Sequence, residues 1–165
     1  MDLLRGLFYA SGCLFLTGCA KPPPVAYYSE PSRGADTATI TGETTDPGFS
    51  KSINDLHSYA LGVDGDSIAH PDDPYNRTIV VAAGQRFVTL GCKLGGTYAS
   101  SSSPAEIKAG QSYTAKCECG NYKAFDQPWA YVWLQDSAGH AVTEKKVASL
   151  EAGGSAPIII PIFHR

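Results

Sequence analysis

Cys92, Cys117 and Cys119 are the residues whose type and spacing could carry chemistry in this chain. Three cysteines cannot all pair within one molecule, so one disulfide and one free thiol is the economical arrangement. Cys117-Glu118-Cys119 has one intervening residue and lacks the Cys-x-x-Cys spacing at a helix start that depresses a thiol pKa. A zinc site would present two close-spaced ligand pairs, and here there is one. A structural disulfide from Cys92 to Cys117, with Cys119 as the alternative partner, is therefore the leading reading, ahead of a redox pair or a Cys₃-His metal site.

The other reactive side chains stand apart from one another. His57, His70, His140 and His164 show no His-x-x-x-His or His-Glu spacing and read as ordinary loop or surface histidines. Asp64-Gly65-Asp66 and the following Asp72-Asp73 form an acidic loop without the ligand spacing or terminal Glu of an EF-hand, so turn-forming aspartates explain it more simply. Ser100–Ser103 lacks a Gly-x-Ser-x-Gly context and reads as a flexible hairpin tip. Asn76-Arg77-Thr78 fits a glycosylation sequon, a three-residue pattern that carries little weight here. Trp129, Tyr131 and Trp133 alternate, so on a strand they share a face. Such a face usually packs into a core; exposed, it would make a platform for carbohydrate or a protein. No catalytic constellation and no cofactor site are expected.

The elements that must position these residues are short and β-rich. Runs over 38–43, 58–63, 77–81, 86–94, 112–118, 130–135 and 141–147, with 158–163 as a possible last one, alternate with clusters of Gly, Pro, Asp and Ser. An all-β, two-sheet sandwich, immunoglobulin-like or transthyretin-like, is expected. Residues 52–57 could add one helical turn. Alternation along 112–119 puts Tyr113, Ala115, Cys117 and Cys119 on one face. Ala83-Gly84-Gln85-Arg86-Phe87 and Ala109-Gly110-Gln111-Ser112-Tyr113 are spelled nearly alike and predict two hairpin turns, each followed by an aromatic. Asp136-Ser137-Ala138-Gly139 predicts a turn joining the tryptophan strand to 141–147.

Upstream of these strands, residues 6–16 form an apolar run well short of the roughly 20 residues a membrane span needs. It ends in Leu16-Thr17-Gly18-Cys19, which resembles the lipobox of bacterial lipoproteins, Leu-(Ala/Ser/Thr)-(Gly/Ala)-Cys. The resemblance implies that residues 1–18 are a signal peptide, removed together with Cys13, and that Cys19 receives a diacylglyceryl thioether and an acylated amine. At about 0.8 kcal/mol per buried CH₂, several acyl chains make a permanent anchor to the membrane. By resemblance to enterobacterial lipoproteins, in which aspartate after the cysteine favours inner-membrane retention, Ala20 implies the outer membrane, with the domain facing the periplasm. An oxidising envelope favours the disulfide.

Removing residues 1–18 from 165 leaves 147, enough for one domain with a core. That chain carries 12 basic and 15 acidic side chains, a net −3 without a basic run, which excludes a nucleic-acid footprint. Residues 19–37 hold the lipidated cysteine and a spacer rich in proline, Pro22-Pro23-Pro24 and Pro31, whose stretch 21–36 could reach about 50 Å at roughly 3 Å per residue. The sandwich domain then occupies 38–165. Pro157-Ile158-Ile159-Ile160-Pro161-Ile162-Phe163 is apolar but too short to span, and its prolines suit an edge strand or a docking segment.

Gly62-Val63-Asp64-Gly65, followed by the strand Ile79-Val80-Val81 and the Ala82-Ala83-Gly84 turn, resembles PEGA-like β-sandwich domains of bacterial surface proteins. That resemblance implies a fold; the family shares no catalytic residues. The functional expectation is a membrane-anchored envelope lipoprotein with a structural or protein-interaction role and an envelope protein as partner. The competing expectation is a ligand-binding module for glycan or ion, through the aromatic face or the acidic loop.

Overall fold

The computed structural model describes residues 25–45, 55–68, 75, 77–120 and 129–152. Among them every regular element is a strand. There are eleven: β1 (Thr37–Thr41), β2 (Glu43–Thr45), β3 (Leu56–Val63), β4 (Asp66–Ser67), β5 (Thr78–Ala82), β6 (Gly84–Leu94), β7 (Thr97–Ile107), β8 (Ser112–Cys119), β9 (Trp129–Asp136), β10 (Lys146–Ser149) and β11 (Glu151–Ala152). They form two sheets, ordered β10-β9-β8-β1-β5 and β11-β7-β6-β3-β2, with β4 paired to β3. The fold is a β-sandwich. Its core alternates along the strands as period-two patterning requires: Ile40 on β1, Ile79 and Val81 on β5, and Ala130, Val132 and Leu134 on β9 all point inward. A fully buried Ile, Leu or Val contributes roughly 1.5–3 kcal/mol.

The chain repeatedly changes sheet. The segment 38–43, expected as one strand, divides at Gly42: β1 belongs to the five-stranded sheet and β2 to the other. A Cβ at Gly42 would lie 2.0 Å from the Tyr75 carbonyl oxygen and 2.5 Å from that of Ser58, so only glycine fits where the strand passes between layers.

The two similarly spelled turns are not hairpins. Gly84, at φ 113°, carries the chain from β5 to β6, and Gly110, at φ 72°, from β7 to β8; each connection leads from one sheet to the other. Both are anchored beside β1, where Ala83 N donates to Asp36 O at 2.9 Å and Gly110 N to Thr37 O at 2.8 Å. The local grammar of a Gly turn is the same for a hairpin and an inter-sheet arch; which one forms depends on where each strand finds its partner.

The tightest hairpins lie elsewhere. Asp64-Gly65 joins β3 to β4, with φ of 53° and 90°, the signature of a type I′ turn. Gly95-Gly96 joins β6 to β7. Residues 100–103, expected as a flexible tip, lie in the middle of β7, where Ser100–Ser103 pair with Gly91–Val88. The Asp136–Gly139 turn forms, with Asp136 Oδ1 accepting from His140 N at 2.8 Å and Ala138 N at 3.0 Å. These hydrogen bonds, His140 N–H foremost, hold the Asp136 carboxyl below the usual range. The strand after it is shorter than the expected 141–147. Ala141 makes a single bridge to Gln135, and then the Thr143 hydroxyl accepts from Leu134 N at 2.9 Å, taking the place of a strand carbonyl until β10 begins at Lys146. Of the expected helical turn, residues 52–54 lie outside the described residues and Leu56 and His57 belong to β3. The expected strand 158–163 also lies outside them.

Residues 25–36, read as spacer, lie along the domain. Tyr27 bridges Ser67 in parallel register, Tyr28 N donates to Ser67 O at 2.8 Å, and Ser67 N donates to Ala26 O at 3.0 Å. Val80, on the outer edge of β5, has both backbone groups capped: its N–H by Glu30 Oε2 at 2.9 Å, its carbonyl by the Tyr28 hydroxyl at 3.2 Å. Glu30 also pairs with Arg77. An open sheet edge invites further strands, and this segment closes one.

Substituting Gly42→Ala will force the two carbonyls apart and lower stability by about 1–3 kcal/mol, the range for overpacking. Gly96→Ala, with open space around the new methyl group, will stay within about 0.5 kcal/mol of wild type, as surface changes do, and urea unfolding of the two variants compares them.

Candidate functional site

Two groups of expected site residues fall within the described part of the chain. In the first, Cys92 on β6 and Cys117 on β8 face each other across the sandwich with Cα atoms 5.9 Å apart and their sulfurs at bonding distance. The structure brings Cys117, not Cys119, to Cys92. Both Cys117 and Cys119 sit on the core side of β8, but Cys119 is two residues nearer the strand end, paired with Ala130, and remains a free thiol. Burial pushes its pKa up, which suppresses the thiolate that redox chemistry needs. Beside the disulfide, the buried Ser58 hydroxyl donates to Ala115 O at 2.6 Å, a second tie between the sheets. Lys116 of β8 pairs with Glu43 of β2 at the same seam.

In the second group, Trp129, Tyr131 and Trp133 do share a face of β9, and it is the outward one. Ala130, Val132 and Leu134 take the core, leaving the three aromatics half-buried on the surface of the five-stranded sheet. Their rings do not form a flat shelf. Trp129 meets Tyr131 edge to face, with centroids 4.9 Å apart and planes at 77°. Lys145 Nζ lies 4.0 Å from the centroid of Trp133, covering that ring with a cation, and pairs at 4.0 Å with Glu118. Trp129 is seated across Gly120, where a Cβ would lie 2.0 Å from the indole.

The acidic loop is partly described. Both carboxylate oxygens of Asp64 are engaged, Oδ1 by Phe87 N at 2.8 Å and Oδ2 by Arg86 at 3.0 Å. Asp72 and Asp73 lie outside the described residues, as do Cys19, His70, His164, Asn76 and the 157–163 segment. Among the described residues no three His, Cys, Asp or Glu side chains gather as metal ligands would. His140 is exposed beside Asp136. His57 stacks on Tyr75 with centroids 4.3 Å apart, and its Nδ1 lies 2.9 Å from Thr44 Oγ1.

Sequence reasoning missed one cluster. Tyr59 is buried on the side of β3 away from the main core, edge-on to Tyr75 at 5.2 Å, and Lys93 Nζ sits 4.7 Å from the Tyr75 centroid. Burial drives the Tyr59 hydroxyl pKa strongly upward, so it stays protonated. A β-bulge between Ala60 and Gly62 shifts the alternation of β3, and no strand pattern read from sequence anticipates it.

Comparison with protein-family models, with curated proteins and with solved structures finds no match to this chain.

Two outcomes follow from this geometry. Cys92→Ala or Cys117→Ala will cost about 3 kcal/mol of stability by loss of the cross-link, while Cys119→Ser will leave the bond intact in a non-reduced peptide map. Gly120→Ala will displace the Trp129 indole, and a red-shifted emission with stronger acrylamide quenching than wild type will report it; an unchanged spectrum would show that the ring does not rest on Gly120.

Proposed function

We propose that this chain is a lipid-anchored envelope protein, tethered through Cys19 and facing the periplasm from the outer membrane, whose β-sandwich serves a structural or protein-interaction role without catalysis. The observation that carries the reading is the state of the side chains that could do chemistry. Cys92 lies against Cys117, Asp64 is engaged by Arg86 and Phe87 N, Glu30 by Arg77 and Val80 N, and His57 by Tyr75 and Thr44. Each is spent on holding strands or edges together rather than aimed into a shared cleft. A nucleophile, a base and an orienting group within hydrogen-bond reach would favour an enzyme. The lipobox resemblance at 16–19 supports the anchor, and kinship with PEGA-like domains is proposed on turn spelling alone.

The outward direction of Trp129, Tyr131 and Trp133 favours a second reading, a glycan-binding module. Stacking on a sugar wants an open ring face; here Trp133 carries Lys145 and Trp129 stands at 77° to Tyr131, an arrangement better suited to an irregular protein surface.

Cys19→Ser will abolish incorporation of labelled fatty acid and move the protein from the membrane to the soluble fraction. Crosslinking of the tagged, lipidated protein in intact envelopes will enrich one dominant protein partner, and that enrichment will fall on Lys145→Glu or Tyr131→Ala if the aromatic face makes the contact. Absence of an enriched protein, together with saturable glycan binding read by tryptophan fluorescence, would favour the second reading.

A further inference from the structure

We infer that the domain rests directly on the bilayer, docking the end that carries Val25, Tyr27 and Phe87 into the lipid interface; this rests on the lipid-anchor reading of Cys19. The first observation is where the chain joins the domain. Residues 26–28 hydrogen-bond to Ser67, and the Tyr27–Ser67 bridge is parallel. β4 leads away from the Asp64-Gly65 turn, so the residues preceding Tyr27 lie toward that turn. The same end of the sandwich holds the arches at Gly84 and Gly110 and the Asp136–Gly139 turn, because Thr37 pairs with Ala82, Gly84 with Ile107, and Tyr113 with Asp136.

The second observation is length. From Cys19 to Val25 is six residues, which fully extended span at most about 21 Å. A spacer running to residue 37 would have let the domain stand far off; with residues 25–36 held on the domain, this end must remain near the lipid.

The third observation is what is exposed there. Among the described residues four large apolar side chains are well exposed: Val25 at 59%, Tyr27 at 66%, Phe87 at 40% and Val147 at 62%. Three of the four belong to the end where the anchor enters. Phe87 is fixed there by its carbonyl, which accepts from Asp64 N at 2.8 Å. The neighbouring charge is mixed with a small acidic excess: Arg86 is paired with Asp64, Glu106 and Lys108 bring one of each sign, and Asp36, Asp66 and Asp136 stand at the same end with Arg33. Aromatic and aliphatic groups without a basic patch suit the headgroup–acyl boundary of a zwitterionic bilayer rather than an anionic one, and tyrosine and phenylalanine bury an apolar body there.

The test uses the full lipidated chain in phosphatidylcholine vesicles with or without brominated acyl tails, with Tyr27→Trp, Phe87→Trp and Val147→Trp variants read as difference emission against wild type. All three positions are exposed, so the fold tolerates the change. Intact mass establishes acylation of Cys19 in every sample. The expected result is brominated-lipid quenching at positions 27 and 87 several-fold greater than at 147. Equal quenching at the three positions in an acylated protein would overturn the docking and leave the anchor standing. An unmodified Cys19 would overturn the anchor reading and the docking with it.

Discussion

The seam where β3 and β6 face β8 is the constraint on which the rest of the sandwich depends. Packed sheets ordinarily lie about 10 Å apart. Here the Cα atoms of Cys92 and Cys117 are 5.9 Å apart, so the layers pinch locally. The pinch is possible because the inward residues around it are small: Ser58 and Ala60 on β3, Ala99 on β7, Ala115 on β8. It is held by the cysteine pair and by the Ser58–Ala115 hydrogen bond, and Gly42 lets the chain change layers beside it. Away from the seam the gap is filled by larger groups, Ile40, Ile79, Ile107 and Leu134 among them, all fully buried. The sandwich is therefore a wedge, with small side chains at the seam and branched ones elsewhere.

A sandwich leaves sheet edges, and this chain closes several of them with its own termini of structure. The segment 25–36 satisfies Val80 on β5. On the opposite side the chain leaves β10 in one sheet and pairs as β11 with Tyr98 and Thr97 at the start of β7. Lys146 Nζ donates to Ser102 O at 2.9 Å farther along β7. Such capping resists edge-to-edge association. It also draws residues 25–36, whose composition reads as spacer, into the domain's architecture, since Tyr28 and Glu30 are the groups that guard β5.

The aromatic strand illustrates how a strong local pattern can leave direction undecided. Period-two spacing places Trp129, Tyr131 and Trp133 together with equal force whichever way the sheet turns. The alternate set, Ala130, Val132 and Leu134, is smaller and entirely aliphatic, and it fits the narrow gap between layers; three bulky rings would not. The rings consequently lie outside and are stabilised by one another, by Gly120 and by Lys145.

By itself the amino-acid sequence determined the β class, most of the strand positions and the shared faces of β8 and β9, because alternation and turn residues act over a few positions. It also marked Cys19 as an anchor candidate and narrowed the disulfide to Cys92 with Cys117 or Cys119. Only the tertiary structure decided between those two partners, since the choice depends on the register with which β6 crosses β8. The same is true of Gly84 and Gly110, whose turns become inter-sheet arches because β5 and β8 both find β1. β7 was hidden because, apart from Ile107 at its end, its buried positions are Ala99, Ser103 and Ala105, which carry little hydrophobic signal yet are what the pinched interior accepts. The docking of residues 25–36 was hidden for a related reason: a proline-rich composition reports what a segment cannot form alone, while the unpaired edge that captures it exists only after the sheets have assembled.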